Sequence, residues 1–532
     1  MGITRRQLSV GCGVGALAWT VGQLRPGEIH AAPLTPEPLD VGQLKQLAAF
    51  ALERARAAGA SYADIRINRY QQQTVALRSQ PDFSSGTLNH VPSVSSSESF
   101  GFGLRVLAKG TWGFSANQQV TKQTIAQAAR EAVDIARANA SLRRQPVQLA
   151  PAKADQGHYR TAIAQDPFTV SISDKLALLQ LANEEMKKVK GVFSASGVIA
   201  QRAEHRFFAS SEGSLLEQHI HQIAPEITAT AVDKGRKTKT RTYRPHAVCA
   251  GYEAVTRARL PAEARRVGEE AVNHLKAPSV RAGKRDLVLL PTHLGLTIHE
   301  SIGHSTELDR ALGWEANFAG TSFLTTDKLG KFRVGADHIN FQGDRIRPES
   351  LSTCGWDDDG VATVKFPIID KGIFVGYQTT RDQAHLVGAS ASTACCYADS
   401  YASVPFQRMP NVYLVPGDKP LTLKDLIGGT DDGVLIDGRG SYSIDQQRYN
   451  FQFGGDAFWE IKGGKVVGMI ADVAYQSRTP DFWQANDGLG GADTWENVGL
   501  NADGKGQPSQ LNAMSHGCPP ARFRQINVLR TE

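Results

Sequence analysis

The chain has 532 residues, which is more than one hydrophobic core accommodates, so two or more domains are expected. Its 41% hydrophobic and 21% charged residues are typical of a globular protein, and its 51 glycines and 24 prolines indicate many turns. The net charge is only +6, and the sequence lacks a run of lysine and arginine with interleaved aromatic residues, which argues against a nucleic-acid-binding protein.

The N-terminus resembles a twin-arginine export signal. Arg5-Arg6 precedes an uncharged stretch over residues 8–21, whose glycines make it only weakly hydrophobic, as this export route favours. Ala31-Ala32 offers small residues for cleavage. We therefore expect residues 1–32 to be a signal peptide and the mature protein to be periplasmic or otherwise exported. The alternative is a cytosolic N-terminus that carries two arginines by chance.

A membrane span is not predicted. The apolar stretch near the N-terminus is too short, and the rest of the sequence never reaches about 18 consecutive apolar residues, the length that a spanning helix needs.

Residues 33–283 alternate between helical and strand patterns and predict an N-terminal α/β domain. Apolar periodicity predicts four helices, and partial alternation predicts strands between them. The helices are predicted at residues 41–58, 122–140, 173–188 and 260–275, and the strands at 63–77, in a hairpin over 100–114 and within 191–232. The serine-rich segment 84–97 is predicted to be a long loop.

One of these predicted strands carries two histidines. His219 and His221 are two positions apart, which places both on one face of a strand. Such a pair is compatible with a metal site, but we interpret it as an exposed pair on a surface strand.

Residues 284–532 are dominated by short strands and turns and predict a β-rich C-terminal domain. The fold class is thus α+β: an N-terminal α/β domain followed by a β-rich domain that carries one helix. An apolar strand ends at Leu290, Pro291 breaks it, and a helix is predicted to open near His293.

That helix carries the sequence HESIGH, with His299, Glu300 and His304. Two imidazoles can hold zinc, and a neighbouring carboxylate can take a proton from water at the metal. Positions i and i+5 lie about 140° apart in a regular helix, too far for one ion. A π-bulge would bring them onto one face, and Gly303 tolerates such a distortion. The alternative is an ordinary helix with two unrelated polar histidines.

The HESIGH sequence resembles the H-E-x-x-x-H signature of the TldD/PmbA family of metalloproteases. Other segments are similar to blocks of that family in the same order, and the resemblance spans Leu44 to Val528. These segments are residues 99–114, 208–213, 408–411, 451–455 and 504–507. The resemblance implies two domains with a recessed active site, a zinc ion held by His299 and His304, and Glu300 as the general base.

A third metal ligand is also implied, and here the sequence departs from the family. The family has a cysteine directly before Gly-Lys, whereas this chain has Asp503, whose carboxylate is an acceptable zinc ligand. We expect Asp503 to be the third ligand and keep His516 and Cys518 as alternatives. If residues 501–518 form a hairpin that turns at Ser509-Gln510, His516 lies opposite Asp503.

The function implied by the resemblance is that of a zinc-dependent peptidase acting on short or unstructured peptides. Arg408 is a candidate for binding a substrate carboxylate or the oxyanion, with a structural salt bridge as the alternative. The resemblance also implies a homodimer, or a heterodimer with a PmbA-like subunit. Because some family members lack the motif and assist an active chain, a non-catalytic partner subunit is the alternative function. This chain keeps all three motif residues.

Overall fold

The structure is a computed structural model, and its described residues form a mixed α+β fold, as predicted. It describes residues 40–82, 84, 87–235 and 237–531. The expected signal peptide, residues 1–32, lies outside the described residues. Within the described ranges, none of the helices is both long enough and apolar enough to cross a membrane.

The first large sheet has seven strands, and four neighbouring strands in it are unusually long. The strands are β1 Tyr62–Pro81, β2 Leu88–Ala108, β3 Thr111–Asn117, β4 Gln156–Arg160, β5 Val192–Ser210, β6 Leu215–Val232 and β7 Thr238–Tyr243. Their order is β3-β2-β1-β5-β6-β4, with β7 also paired to β6. The strands β2, β1, β5 and β6 are 21, 20, 19 and 18 residues long, so one pair of helices cannot cover the whole length of the sheet.

Helices cover one face of this sheet in two separate groups. Among the described residues before 283, the helices are α1 Val41–Ala58, α2 Lys122–Asn139, α3 Ile172–Lys187, α4 Glu253–Ala258 and α5 Leu260–Lys276. One apolar cluster lies under α1 and α2 at one end of the sheet, and a second lies under α3 and α5 at the other end. The four helices predicted from periodicity are confirmed to within one residue at each end.

The serine-rich segment predicted as a loop is instead part of a strand. Residues 88–97 belong to β2 and pair in register with the second half of β1. Their side chains are mostly exposed, so the apolar alternation that signals a strand is missing from the sequence. The backbone ladder with β1 fixes this segment, and a ladder does not require apolar side chains.

The opposite face of the first sheet packs against the second half of the chain through buried polar contacts. Arg105 on β2 lies 2.7 Å from the carboxylate of Asp359, and Arg66 on β1 donates to the carbonyl of Ser403 at 2.6 Å. Both arginines are buried. In the sequence, the strands of the first large sheet come before residue 283 and those of the second large sheet begin there. A domain boundary at this residue stays a prediction.

The second large sheet has nine strands and contains the largest apolar cluster of the described residues. Its strands are β8 Gly283–Leu289, β15 Asp432–Asp437, β16 Tyr442–Ile444, β17 Asn450–Phe453, β18 Ala457–Lys462, β19 Lys465–Met469, β20 Val473–Arg478, β21 Asn486–Leu489 and β24 Ala521–Arg530. The order is β16-β17-β20-β24-β8-β15-β18-β19, with β21 paired to β24. Because β8 lies in the interior of this sheet, the helix that follows it starts from a fixed position.

Smaller sheets and short helices complete this half. The remaining strands are β9 Phe341–Asp344, β10 Lys365–Asp370, β11 Ile373–Phe374, β12 Cys396–Tyr397, β13 Phe406–Gln407, β14 Asn411–Leu414, β22 Glu496–Lys505 and β23 Gln510–Cys518. The helices are α6 Pro291–Ile298, α7 Leu308–Ala311, α8 Leu423–Gly428 and α9 Thr479–Gln484. The hairpin β22-β23 packs on α6 and brings the last candidate ligands to the motif helix.

Candidate metal centre

The motif helix contains the π-helical turn that the spacing of the histidines predicted. Pro291 occupies the first turn of α6, where a missing N–H costs nothing, and α6 continues into a π-helix over His299–Gly303. The N–H of His304 donates to the carbonyl of His299, five residues earlier. A Cβ on Gly303 would lie 2.6 Å from the sulfur of Met409, so glycine also allows close packing here.

The π-helical turn brings the two imidazoles together. The ring centroids of His299 and His304 are 4.4 Å apart. The Nε2 atoms lie 3.5 Å and 3.4 Å from the same oxygen, Oδ1 of Asp503 on β22. Three donor atoms from two distant parts of the sequence therefore converge on one point.

A hydrogen bond to the other ring nitrogen holds each imidazole in place. Nδ1 of His299 lies 2.9 Å from Nε2 of His516, and Nδ1 of His516 lies 3.2 Å from the carbonyl oxygen of Val412. Since a carbonyl only accepts, His516 donates to Val412 and accepts from His299, which leaves Nε2 of His299 with a free lone pair. Nδ1 of His304 lies 2.8 Å from Oε2 of Glu307 and 3.0 Å from Nη2 of Arg310. We assign the same tautomer here because the closer partner, Glu307, is an ionised carboxylate that can only accept.

Glu307 is itself part of a fully buried charge cluster. Nζ of Lys505 lies 3.2 Å from Glu307 and 2.8 Å from Asp309, and Nε of Arg310 donates to Glu307 at 2.5 Å. Burial raises the pKa of Glu307, but Lys505 and Arg310 outweigh it and hold this pKa well below its ordinary value. Sequence reasoning missed these residues, although Glu307 follows His304 by three positions and Lys505 lies in a segment that resembles the family.

Arg408 holds the carboxylate of Asp503 in place. Nη2 of Arg408 lies 3.1 Å from Oδ2 of Asp503 and also donates to its main-chain carbonyl. Arg408 is buried and donates further to the carbonyl of Gln510, so it cannot reach a substrate. Of its two expected roles, the structural salt bridge is the one observed.

Glu300 lies beside the three donor atoms and pairs with an arginine. Nη1 of Arg448, in the loop before β17, lies 2.5 Å from Oε2 of Glu300. The charge of Glu300 raises the pKa of the nearby Tyr442 hydroxyl. Glu300, Tyr442 and the three donor residues line a cavity of about 980 Å³. Arg448 comes almost 150 residues after the motif, and we see no sequence signal that could have found it.

The other two candidate ligands lie elsewhere. His516 contacts the far nitrogen of His299, and the sulfur of Cys518 lies 3.8 Å from the carbonyl of Pro291. Burial raises the pKa of the Cys518 thiol well above its ordinary value, which disfavours the thiolate that a metal needs. Of the three candidates, Asp503 is the one whose side chain meets both Nε2 atoms, and its role as a ligand stays a prediction.

The pairing assumed for the hairpin is wrong. Asp503 pairs with Asn512, and His516 pairs with Val498. Residues 506–509 form the turn, in which Gly506 adopts a positive φ of 87°. A bulge between Leu500 and Asp503 shifts the register further. Sequence alone does not show this bulge.

Comparison with known families shows which family this chain belongs to. Residues 282–530 match the PmbA/TldA metallopeptidase C-terminal domain, and residues 87–136 match domain 1 of the same metallopeptidase. The two matches together cover more than half of the chain. The chain belongs to the PmbA/TldD family. It is thus a member of a family of metallopeptidases.

Individual relatives are similar to this PmbA/TldD chain over nearly its whole length. A metalloprotease of Methanothermobacter thermautotrophicus is 26% identical over 472 residues, 88% of this chain and 95% of that protein. A zinc metalloprotease TldD homolog of Saccharolobus solfataricus is 22% identical over 494 residues, 90% and 98% of the two chains. The structure of TldE from Thermococcus kodakarensis has a TM-score of 0.64 at 18% identity, over 91% of this chain and 99% of that one.

The donor set of this PmbA/TldD protein fits a metal ion. Burial lowers the pKa of His304, which keeps its imidazole neutral, as a ligand must be. Two imidazole nitrogens and one carboxylate oxygen are a donor set of catalytic zinc sites, in which neighbouring donors are about 3.3–3.6 Å apart. The distances of 3.5 Å and 3.4 Å from Asp503 fall in that range.

Proposed function

We propose that this chain is a zinc-dependent peptidase that hydrolyses short or unstructured peptides. The observation that carries the proposal is the convergence of the Nε2 atoms of His299 and His304 on Oδ1 of Asp503, with Glu300 beside them. Zinc is the ion in the name of the Saccharolobus solfataricus relative, and it suits this donor set.

Glu300 acts as the general base in this proposal. Bound zinc would acidify a water molecule to a pKa of about 7 and polarise the scissile carbonyl. Glu300 accepts the proton of the attacking water and returns it to the leaving amine. Arg448 holds Oε2 of Glu300 and so limits the carboxylate to one orientation. Positioning of this kind is worth up to about 10²-fold in rate.

The proposed substrate class rests on how deeply the centre lies. His299, Glu300 and His304 are only 4%, 4% and 3% exposed, and they are reached through the cavity. The main chain of a folded domain cannot approach them, whereas a short or extended peptide can. We therefore favour such peptides over folded proteins as substrates.

Assembly and location are part of the proposal. We infer that the chain acts as a homodimer or with a PmbA-like subunit, which the structural likeness to TldE supports. We also propose export by the twin-arginine route, on the strength of Arg5-Arg6. Replacing both with lysine should retain the protein in the cytoplasm, which fractionation followed by N-terminal sequencing would show. An exported protein that still begins before residue 20 would contradict this part.

Glu300→Gln is the decisive test of the mechanism. We expect the variant to keep about one zinc ion at this centre and to lose peptide cleavage by orders of magnitude, because an amide cannot accept the proton. Zinc content is measured by atomic emission, and cleavage with an unstructured peptide library. Glu269→Gln, on an exposed face of α5, is the matched control and should cleave like the parent.

Two results would contradict the proposal. Cleavage retained in Glu300→Gln would remove Glu300 from its role. A parent chain that binds no zinc at His299 and His304 would favour the non-catalytic partner subunit instead.

A further inference from the structure

A second group of metal-ligating side chains lies on the first sheet, far along the chain from the motif helix. His205 on β5 and His219 on β6 are directly opposite in the strand register, and Glu217 precedes His219 by two residues on the same face. Nε2 of His205 lies 3.0 Å from Oε1 of Glu217, and Nε2 of His219 lies 2.9 Å from the same oxygen.

The two imidazoles are held side by side. Their centroids are 4.1 Å apart and their planes differ by 16°. Both Nε2 atoms face the same oxygen, Oε1 of Glu217. The side chains of His205, Glu217 and His219 are 11%, 19% and 29% exposed, which leaves the group open to ions from solvent. The sequence interpretation of His219 as one of an exposed pair with His221 missed His205, which no local spacing reveals.

The position of the group explains why polar side chains occur there. On this face of the sheet, Phe207 packs under α1 and α2, while Ile199 and Ile223 pack under α3 and α5. His205, Glu217 and His219 occupy the band between the two helix groups. Apolar residues would fill this band if its only purpose were packing.

The charges around the group leave it able to bind a cation. Arg160 on β4 is the register neighbour of His219, but it is exposed, so its guanidinium can extend into solvent away from a bound cation. Arg69, the register neighbour of His205, lies 2.7 Å from the carboxylate of Glu98. The carboxylate of Glu217 faces both imidazoles.

We propose that His205, Glu217 and His219 form a second metal site, which takes Zn²⁺ or a similar late first-row divalent ion. Two imidazoles and one carboxylate match the preferences of these ions, and the donors need to separate by only a few tenths of an ångström to reach the spacing of about 3.3–3.6 Å around zinc. The bound ion ties β5 to β6 between the helix groups and is independent of the catalytic centre.

Metal stoichiometry of the full chain tests the site. After equilibrium dialysis against buffered zinc, we expect about two ions per parent chain. The double variant His205→Ala/His219→Ala should hold one, and so should His299→Ala/His304→Ala. The control is His246→Ala, which removes another partly exposed histidine that contacts a glutamate, at 3.0 Å from Glu496, and it should hold two. One ion in the parent, absent from His299→Ala/His304→Ala, would overturn the proposal.

A conservative variant separates metal binding from simple hydrogen bonding. Glu217→Gln keeps an oxygen that accepts from both imidazoles but removes the negative charge that a metal requires. In the His299→Ala/His304→Ala background, which isolates this site, we expect Glu217→Gln to weaken zinc binding at least about tenfold, a loss in the range that metal-site variants show. Thermal unfolding without metal should be unchanged. Unaltered zinc affinity would show that the group is only hydrogen-bonded.

Discussion

At the scale of single residues, the metal centre depends on partners that fix each donor. His516 contacts His299, Glu307 contacts His304 and Arg408 contacts Asp503. Each donor side chain is therefore fixed in one rotamer by a neighbouring residue. Such support raises metal affinity because little side-chain freedom is lost on binding. The same contacts distinguish the three candidates for the third ligand. His516 hydrogen-bonds to the predicted ligand His299, and Cys518 contacts none of the predicted ligands.

Replacing these candidates one at a time should give three different results. Asp503→Ala is expected to weaken zinc affinity sharply and abolish turnover, because it removes a donor. His516→Ala should cost about 10–100-fold in zinc affinity, the range for residues that orient a ligand. Cys518→Ala should leave zinc affinity unchanged. The measurement is competition with a chelator of known affinity, together with peptide cleavage.

Equal zinc affinity in Asp503→Ala and the parent would place the third ligand elsewhere. The same outcome would remove the correspondence between Asp503 and the family cysteine.

At the scale of elements, sequence patterns predicted the long helices but only part of the site. Apolar periodicity and the i+5 spacing of the histidines were enough for α1, α2, α3, α5 and the motif helix with its π-helical turn, because both are local properties. The short helices α4, α7, α8 and α9 were not predicted, and the last three lie in the half that was expected to carry one helix. The strand over residues 88–97 was missed because its side chains are exposed, and the bulge before Asp503 because register is set by distant pairing. Arg448 and His205 reach their partners only through the tertiary fold, which no local spacing encodes.

The π-helical turn leads to a prediction about Gly303. Its Cα faces Met409 so closely that a methyl group would meet the sulfur at 2.6 Å and the terminal carbon at 2.8 Å. Gly303→Ala should therefore lower the free energy of unfolding by about 1–3 kcal/mol, as overpacking does. Met409 is buried, so we expect the turn rather than this side chain to shift and zinc affinity to fall as well.

The control is Gly428→Ala at the end of α8, where an added Cβ meets nothing within 4 Å. It should be neutral in both thermal unfolding and zinc titration. A Gly303→Ala variant with parental stability and zinc affinity would show that Met409 yields without moving the turn.

At the scale of the whole molecule, the two sheets are joined close to the start of the motif helix. Arg241 on β7 donates to Glu270 on α5 at 2.6 Å, to Asp456 at 2.8 Å and also to Asp437 at the end of β15. Asp437 in turn accepts from the hydroxyl of Thr292 in the first turn of α6. A buried cation thus connects the first sheet to the element that carries two of the metal donors.

Arg241→Ala should remove this connection between the two sheets. The Arg241 side chain is 4% exposed, and its loss would leave three carboxylates, each less than a fifth exposed, without their shared cation. The free energy of unfolding should fall by about 3–5 kcal/mol, the cost of removing one partner from a buried ion pair. We would measure it by urea denaturation followed by tryptophan fluorescence.

The matched control is Arg265→Ala, whose pair with Glu269 on α5 is exposed and should contribute only about 0.3–0.5 kcal/mol. If both variants unfold at the same urea concentration, Arg241 does not hold the two sheets together.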